Sequence, residues 1–230
     1  MVLENYRKVR GEIDETCQKA GRNPEDVLLL PVSKTKPVEM IRELYDAGIR
    51  DFGENYVQEL RAKHEALPED IRWHMIGHLQ RNKVKYIAPF VHLIHSVDTV
   101  ELAQTIDKEA AKCGRKIPIL VEVNAGGEES KFGLTVADTP AFLEKILPLE
   151  HIEVRGFMTS APYVEDPETI RFVFQDLYKL SLDTSLKNNN NGLSNILSMG
   201  MSNDFHVAVE EGATIVRIGT DIFGARDYSH

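Results

Sequence analysis

Short apolar runs alternate with longer amphipathic runs along almost the whole chain, and this alternation restricts the fold more than any other feature of the sequence. Apolar runs of four to eight residues between turn signals are typical of buried strands. The predicted strands lie near 27–33, 49–53, 72–77, 91–96, 117–124, 151–158, 193–199 and 213–218. The predicted helices lie near 37–47, 54–66, 81–88, 99–112, 138–147, 166–180 and 203–211. Such alternation indicates a parallel sheet.

Eight strands, each followed by a helical or terminal segment, favour a closed (β/α)8 barrel of the TIM type. The alternative, a doubly wound open sheet, usually has about five or six strands, and no Gly-x-Gly-x-x-Gly follows the first strand here. An extra helix is expected over residues 3–20, where one face is apolar and Gly21 provides the stop signal. We therefore predict an α/β barrel that forms a single domain over residues 1–230, with the Asn-rich segment 188–191 as a polar loop.

Charge and cysteine usage argue against several classes of function. The net charge of −9 argues against nonspecific nucleic-acid binding, which needs a basic surface. Cys17 and Cys113 lack metal-ligand spacing, so we expect reduced thiols, no metal site and a cytoplasmic location, with mitochondrial association left open. The chain shows no signal-like apolar start and no apolar run of about 18 residues, so no membrane span is expected. We expect a monomer, although the sequence leaves the oligomeric state open.

The first predicted strand ends abruptly at Lys34. Lysines are usually exposed, and Lys34 taken alone is most simply the first solvated residue after the strand. A desolvated lysine, however, has a lowered pKa and attacks aldehydes. The barrel prediction places this strand end at the active face. Residue type alone does not exclude Lys36 as the reactive lysine, although Pro37 and the turn favour its solvation.

Glycine and hydroxyl residues follow the last two predicted strands, where barrels of this type often bind phosphate. Gly200, Met201 and Ser202 follow the seventh strand, and Gly219 and Thr220 follow the eighth. Glycine lets the backbone approach an anion closely, and Ser202 is expected to cap the next helix while N–H groups face the phosphate. The alternative is that Ser202 is only a helix cap and Gly219 only a turn residue.

Arg217 lies in the eighth strand on the same face as Ile215 and Gly219. A guanidinium inside a barrel needs a partner. Two partners remain open, a carboxylate such as that of Glu122 or the ring nitrogen of a heteroaromatic ligand. A lysine for an aldehyde, a phosphate site and an arginine between them fit pyridoxal 5′-phosphate (PLP). Because arginine keeps its proton, that ring nitrogen is expected to stay unprotonated, which makes the cofactor a weak electron sink.

Five segments carry long motifs that occur in order over essentially the whole chain. They are Val32–Pro37, Phe52–Glu59, Trp73–Lys83, Leu197–Ser202 and Val216–Tyr228. These motifs resemble the pyridoxal phosphate homeostasis protein family, which is similar to the barrel domain of bacterial alanine racemase and eukaryotic ornithine decarboxylase. The resemblance implies the barrel fold and PLP as the cofactor.

The resemblance also implies roles for individual residues. It implies that Lys34, and not Lys36, carries PLP as a Schiff base, and that Arg217 faces the pyridine nitrogen. The implied phosphate ligands are Ser202, Gly219 and Thr220; the residues implied beside the ring and the lysine are Asn55 and Met158; Met201 completes the cofactor-binding set. His78 and Lys131 lie in family motifs without an assigned role.

Two functions are compatible with the resemblance. The first is a binding protein without catalytic activity that carries or buffers PLP and delivers it to PLP-dependent apoenzymes. The alternative is an amino-acid racemase or decarboxylase. Those enzymes have an additional β domain, whereas the eight units consume this chain, so we expect the carrier. A regulatory module that senses the cofactor is not separated from a carrier by the sequence.

Overall fold

The described strands form a barrel in the computed structural model, which describes residues 1–128, 130–187 and 196–225. All pairs are parallel, in the order β1-β8-β7-β6-β5-β4-β3-β2. The strands are β1 Leu28–Pro31, β2 Asp51–Glu54, β3 Arg72–Met75, β4 Leu93–Val97, β5 Ile117–Glu122, β6 Ile152–Met158, β7 Ile196–Ser198 and β8 Ile215–Ile218. A parallel bridge between Val32 and Gly53 connects the ends of β1 and β2. The predicted eight-stranded barrel is therefore confirmed.

Helices follow most of the strands. They are α1 Val2–Lys19, α2 Val38–Asp46, α3 Val57–Ala66, α4 Val100–Lys112, α5 Thr139–Ile146, α6 Arg171–Lys187, α7 Phe205–Glu210 and α8 Thr220–Phe223. Short 3-10 helices cover Pro24–Asp26, Arg81–Tyr86 and Pro167–Ile170. The predicted 193–195 part of the seventh strand and the Asn-rich segment 188–191 lie outside the described residues.

Two helix predictions were wrong in extent or type, and one helix was not predicted. The segment predicted as a helix over 81–88 is a 3-10 helix that ends at Tyr86, although Val84, Ile87 and Ala88 are all buried. Helix α6 continues beyond 180 to Lys187, and Ser181 and Thr184 in this additional part are buried. Helix α8 was not predicted, since a single turn carries no periodic signal.

Helix α1 packs beside the helices that adjoin β1, β7 and β8. It packs against α2, α7 and α8 through a face that includes the buried Val9, Ile13 and Cys17. The Arg22 guanidinium after α1 donates to the carbonyl oxygens of Val209 and Ala213 at 2.5 and 2.8 Å. Because α7 and α8 are short, α1 supplies the apolar cover that a longer eighth helix would otherwise provide.

Strand alternation divides the apolar residues into two layers. The larger layer lies between the strands and the helices. The smaller layer fills the inside of the barrel and includes Leu30, Leu93, Leu120, Met158 and Ile215. Arg217 lies two residues beyond Ile215, so its side chain also enters the barrel, as the sequence predicted. Within the described residues, no helix has the length and apolar character needed to cross a bilayer.

Candidate functional site

A pocket of about 420 Å³ lies at the C-terminal ends of the strands, where the sequence predicted the active face. Its lining residues are Val32, Lys34, Asn55, Ile76, Ser160, Tyr163, Met201, Ser202, Asn203, Asp204, Arg217, Gly219 and Thr220. Seven of the eight predicted site residues belong to this set. The eighth, Met158, is absent from the lining and lies in the barrel interior, where it is 2% exposed.

A second, larger pocket of about 650 Å³ lies beside the first and shares Asn55 with it. Its lining includes His78, Gln80 and Lys83. We take the smaller pocket as the functional site because it contains Lys34 and Arg217, the amine and the buried cation on which the sequence argument depends.

Lys34 lies on a tight turn directly after β1 and is partly buried. The next residue, Thr35, has a φ of +62°, which is uncommon for a β-branched residue. The Thr35 N–H donates to Glu59 Oε2 at 2.7 Å, and the Ser33 hydroxyl donates to Glu54 Oε1 at 2.5 Å. These two bonds hold the backbone on both sides of Lys34 and therefore fix where its side chain begins.

Lys63 of α3 connects both of those carboxylates. Its ammonium donates to the Ser33 carbonyl and Glu54 Oε1 at 2.7 Å each, and to Glu59 Oε2 at 3.0 Å. Glu54 is fully buried, and burial raises the pKa of its carboxyl group while the Lys63 charge opposes the rise. Sequence reasoning missed Lys63. The signal that could have found it is its spacing of four residues after Glu59 on a helix.

Asn55 follows β2, and its position depends on Gly77. A Cβ atom on Gly77 would overlap the Asn55 carbonyl oxygen, so a larger residue would displace Asn55 from the pocket wall. Asn55 Oδ1 is buried and has no hydrogen-bond partner among the described residues. An orphaned buried acceptor of this kind is expected to bind a donor from a ligand or a water molecule.

Arg217 is 5% exposed and is held by backbone and hydroxyl acceptors from the strands beside it. Its Nη1 donates to the Ser198 carbonyl at 2.7 Å and to Ser198 Oγ at 2.8 Å. Its Nη2 donates to the Thr159 carbonyl at 2.8 Å and to Ser160 Oγ at 3.3 Å. A guanidinium has five N–H groups, so within the described residues the Nε–H is left available for a ligand.

An ion pair with Glu122, one of the two partners that the sequence left open for Arg217, does not form among the described residues. The guanidinium donates to the carbonyl oxygens of Ser198 and Thr159 instead. Glu122 affects Arg217 only through its charge, which favours the protonated guanidinium. Burial lowers the pKa of Arg217 to about 10, with the Asp204 and Glu122 charges opposing the change, so the side chain stays protonated at neutral pH. Burial also raises the pKa of Glu122 to about 7, helped by the Asp98 charge and opposed by Arg217.

The loop after β7 differs in one respect from the prediction. Helix α7 begins at Phe205 with Asp204 as its N-cap residue, so Ser202 is not the cap. The buried Asp204 carboxylate accepts the Met201 N–H at 2.6 Å, which tightens the turn over 201–204 and leaves Ser202 facing the pocket. Sequence reasoning missed Asp204, which is acidic and would not be assigned to a phosphate loop.

Backbone donors face the pocket from the loops after β7 and β8. In the described part of the chain, the N–H groups of Ser202, Gly219 and Thr220 have no protein acceptor. The loop can come this close because Gly200 has a φ of +95° and its α-carbon packs against α7. The hydroxyl groups of Ser202 and Thr220 add two further donors, so the arrangement suits an oxyanion.

Comparisons with known proteins agree with the motifs. The family model described as alanine racemase, N-terminal domain, matches residues 8–227. A pyridoxal phosphate homeostasis protein of Aquifex aeolicus is 47% identical over 226 residues, which cover 98% of each chain. The chain belongs to the pyridoxal phosphate homeostasis protein family.

Solved structures of related proteins place the fold among PLP-associated barrels. The structure of PipY from Synechococcus elongatus with PLP bound has a TM-score of 0.84 and 33% identity. The match covers 97% of this chain and all of PipY. An alanine racemase of Clostridium difficile shares the fold alone, with a TM-score of 0.73, 17% identity and coverage of 99% of this chain but 58% of the racemase.

Two residues of the family motifs lie on loops near the pocket. The Lys131 ammonium donates to the Ala161 carbonyl at 2.8 Å and pairs with Glu128 Oε2 at 2.8 Å. It therefore ties the loop after β5 to the loop after β6. The His78 ring stacks on Phe132 with 4.0 Å between centroids, which links the loop after β3 to the same region.

Proposed function

We propose that this protein binds PLP in the 420 Å³ pocket and holds it covalently on the Lys34 amine. The observation that carries the proposal is the meeting of three donor groups in one pocket. They are the Lys34 amine, the Arg217 Nε–H and the backbone N–H groups of Ser202, Gly219 and Thr220. PLP supplies an aldehyde that condenses with a primary amine and releases water, and it also carries a phosphate and a pyridine nitrogen.

Different groups in the pocket match the phosphate, the pyridine nitrogen and the ring of PLP. The phosphate would be held by the backbone and hydroxyl donors after β7 and β8, and the pyridine nitrogen by Arg217 Nε–H. Val32 and Ile76 supply apolar wall for the ring, and Asn55 Oδ1 is an acceptor for a ring hydroxyl. Because Arg217 stays protonated at neutral pH, it does not pass a proton to the ring nitrogen, which keeps the electron sink weak.

We further propose that the protein carries or buffers PLP and delivers it to PLP-dependent apoenzymes. Racemisation removes a proton from one face of a substrate and returns one to the other, which two positioned acid–base groups do best. Beside Lys34, the candidates in the described lining are Tyr163 and Asp204. Tyr163 is 82% exposed, and the Asp204 carboxylate accepts the Met201 N–H. Neither is held as a second acid–base group, which supports a carrier over the alternative racemase or decarboxylase.

Titration with PLP followed by visible absorbance tests the attachment. The wild-type protein is expected to develop the absorbance band of a lysine adduct, and Lys34→Ala is expected to lose it. Lys36→Ala is the matched control, because Lys36 lies two residues away and its ammonium donates to the Ala225 carbonyl. An unchanged band in Lys34→Ala, or a band lost only in Lys36→Ala, would contradict the proposal.

A further inference from the structure

A line of polar side chains crosses the inside of the barrel from Arg217 to the opposite end. Ser198 Oγ lies 2.8 Å from Arg217 Nη1 and 2.9 Å from His95 Nδ1. His95 Nε2 lies 2.9 Å from His74 Nδ1, and His74 Nε2 lies 3.1 Å from Asp51 Oδ1. Ser198 ends β7 and Asp51 begins β2, so the line joins the pocket face of the barrel to its N-terminal face.

The members of this line are buried, although a barrel interior is usually filled by branched apolar residues. Ser198 and His95 are fully buried, His74 is 2% exposed and Asp51 is 7% exposed. Burying polar groups costs stability unless each one is paired. Here the described hydrogen bonds pair every member, while Leu30, Leu93, Leu120, Met158 and Ile215 occupy the rest of the interior. A continuous polar line in this position therefore requires a reason other than stability.

The charge at the far end fixes the direction of the hydrogen bonds. Arg72 donates to both oxygens of Asp51, at 2.8 and 2.5 Å. Burial opposes ionisation of Asp51, but the hydrogen bonds from Arg72 and His74 outweigh it and hold the pKa of Asp51 well below its usual range. Asp51 is therefore a carboxylate and can only accept, so the proton on His74 that faces it lies on Nε2.

The remaining protons follow from that first assignment. The Arg72 fork already neutralises the Asp51 charge, so His74 needs only the proton on Nε2; its Nδ1 then accepts, and His95 donates from Nε2. Burial lowers the pKa of His95 well below its usual value, with His74 and Arg217 contributing, so His95 is neutral and accepts at Nδ1. The Ser198 hydroxyl then donates to His95 and presents a lone pair to Arg217. Every donor points from Arg217 toward Asp51, and no further buried charge is required.

We propose that Asp51, His74, His95 and Ser198 form a positioning chain that orients the Arg217 guanidinium toward the bound ligand. Each member fixes the tautomer or rotamer of the next, in the way that a carboxylate orients a histidine in metal and catalytic sites. The chain ends by directing Nη1 at Ser198 Oγ, which leaves the Arg217 Nε–H for the ring nitrogen. The role of this last contact rests on the proposed PLP site, whereas the order of protons does not.

Nitrogen-15 NMR of the histidine rings in the ligand-free protein tests the order of protons. His74 and His95 are both expected to carry their proton on Nε2. Asp51→Ala leaves the buried His74 Nε2–H without its acceptor, so both rings are expected to shift their proton toward Nδ1, although His95 does not touch residue 51. A wild-type His95 with its proton on Nδ1, or a His95 unaffected by Asp51→Ala, would overturn the positioning chain.

Equilibrium binding of PLP tests the consequence for Arg217. Ser198→Ala removes the hydroxyl that contacts both His95 and Arg217, and its dissociation constant is expected to rise about five- to tenfold. Ser96→Ala is the matched control, because Ser96 is a fully buried neighbour of His95 in β4 whose hydroxyl has no partner among the described residues. Its dissociation constant is expected to stay within about twofold.

The NMR and PLP-binding measurements distinguish failure of the positioning chain from failure of the proposed PLP site. Equal weakening in Ser198→Ala and Ser96→Ala, or none in Ser198→Ala, would overturn the positioning role. If the wild-type protein does not bind PLP, the proposed function is overturned. The NMR result on the ligand-free protein would still test the proton order in the positioning chain.

Discussion

At the scale of single residues, Lys63 shows how a side chain outside the pocket shapes it. Lys63 belongs to the mostly polar helix α3, yet its side chain is buried, with 6% of the residue exposed. Its ammonium binds the Ser33 carbonyl, Glu54 and Glu59, and Ser33 immediately precedes Lys34. Lys63 therefore neutralises a buried carboxylate and fixes the strand end that carries the proposed reactive amine.

Replacing Lys63 tests that role. Lys63→Met would leave Glu54 buried without its cation, and we expect a loss of about 3–5 kcal/mol in the free energy of unfolding at pH 8, measured by urea denaturation. The loss should shrink at pH 5. Burial raises the pKa of Glu54, and without Lys63 nothing comparable opposes that rise. The buried carboxyl group of the variant therefore keeps its proton at pH 5 and is less costly there. At pH 8 the unfolded state has lost this proton, so the folded variant is less stable.

The control for this variant is Lys8→Met. Lys8 is 78% exposed and lies 3.9 Å from Glu12, so its removal is expected to change stability by less than about 0.5 kcal/mol. A loss below about 1 kcal/mol in Lys63→Met, or an equal loss at both pH values, would contradict the assigned role.

Residue types and strand alternation predicted part of the site. They placed Arg217 inside the barrel and Lys34, Ser202, Gly219 and Thr220 at its active face. They did not predict the partners of Arg217, because those are carbonyl groups of neighbouring strands that no residue type reveals. Met158 was assigned to the site through the resemblance, and its place beside the ring and the lysine stays a prediction.

At the scale of elements, the loop between β7 and α7 depends on Gly200. This residue has a φ of +95°, a conformation that L side chains rarely adopt, and its Cβ would lie 2.7 Å from Ala208 Cβ in α7. Both constraints bring the loop backbone against the helix and hold Ser202 at the pocket.

Alanine substitutions at two glycines separate the cost of a positive φ from the cost of a steric clash at Cβ. Gly200→Ala is expected to destabilise the protein by about 3 kcal/mol and to weaken PLP binding, since it combines an unfavourable φ with a clash. Gly224→Ala has a similar φ of +80°, but no described residue lies within contact of its Cβ, so about 1–2 kcal/mol is expected. Urea denaturation of both variants checks this, and equal losses would contradict the crowding argument.

Elements with a long periodic signal were predicted well, and short ones were not. Strands with apolar runs and helices such as α4 were found within a few residues of their true ends. The segment Arg81–Tyr86 was predicted as a helix but is a 3-10 helix, because apolar spacing does not separate the two helix types over so few residues. The single turn of α8 was missed because it is too short to show a periodic pattern.

At the scale of the whole molecule, the count of alternating units was enough to predict the barrel. The packing of α1 against α7 and α8 was not predicted, because it joins the two ends of the sequence and α7 and α8 are short. The polar line inside the barrel was also missed, since His74, His95 and Ser198 are far apart in sequence. The single-domain organisation and the monomeric state stay predictions.

The proposed carrier role predicts delivery without turnover. The PLP-loaded protein is expected to restore the activity of a PLP-dependent apoenzyme, and to racemise or decarboxylate a panel of amino acids no faster than free PLP does. Chiral chromatography and carbon dioxide release measure the second outcome, with Lys34→Ala as the control. Robust turnover that depends on Lys34 would favour the enzyme alternative.

The central claim is that Lys34 holds PLP, and the most direct measurement identifies the modified lysine. The wild-type protein is loaded with PLP, reduced with borohydride and digested, and its peptides are analysed by mass spectrometry. Attachment to Lys34 predicts one phosphopyridoxyl group per chain, on the peptide that contains Lys34 and on that residue. A stoichiometric group on Lys36, Lys131 or any other lysine, or no modified peptide at all, would contradict it.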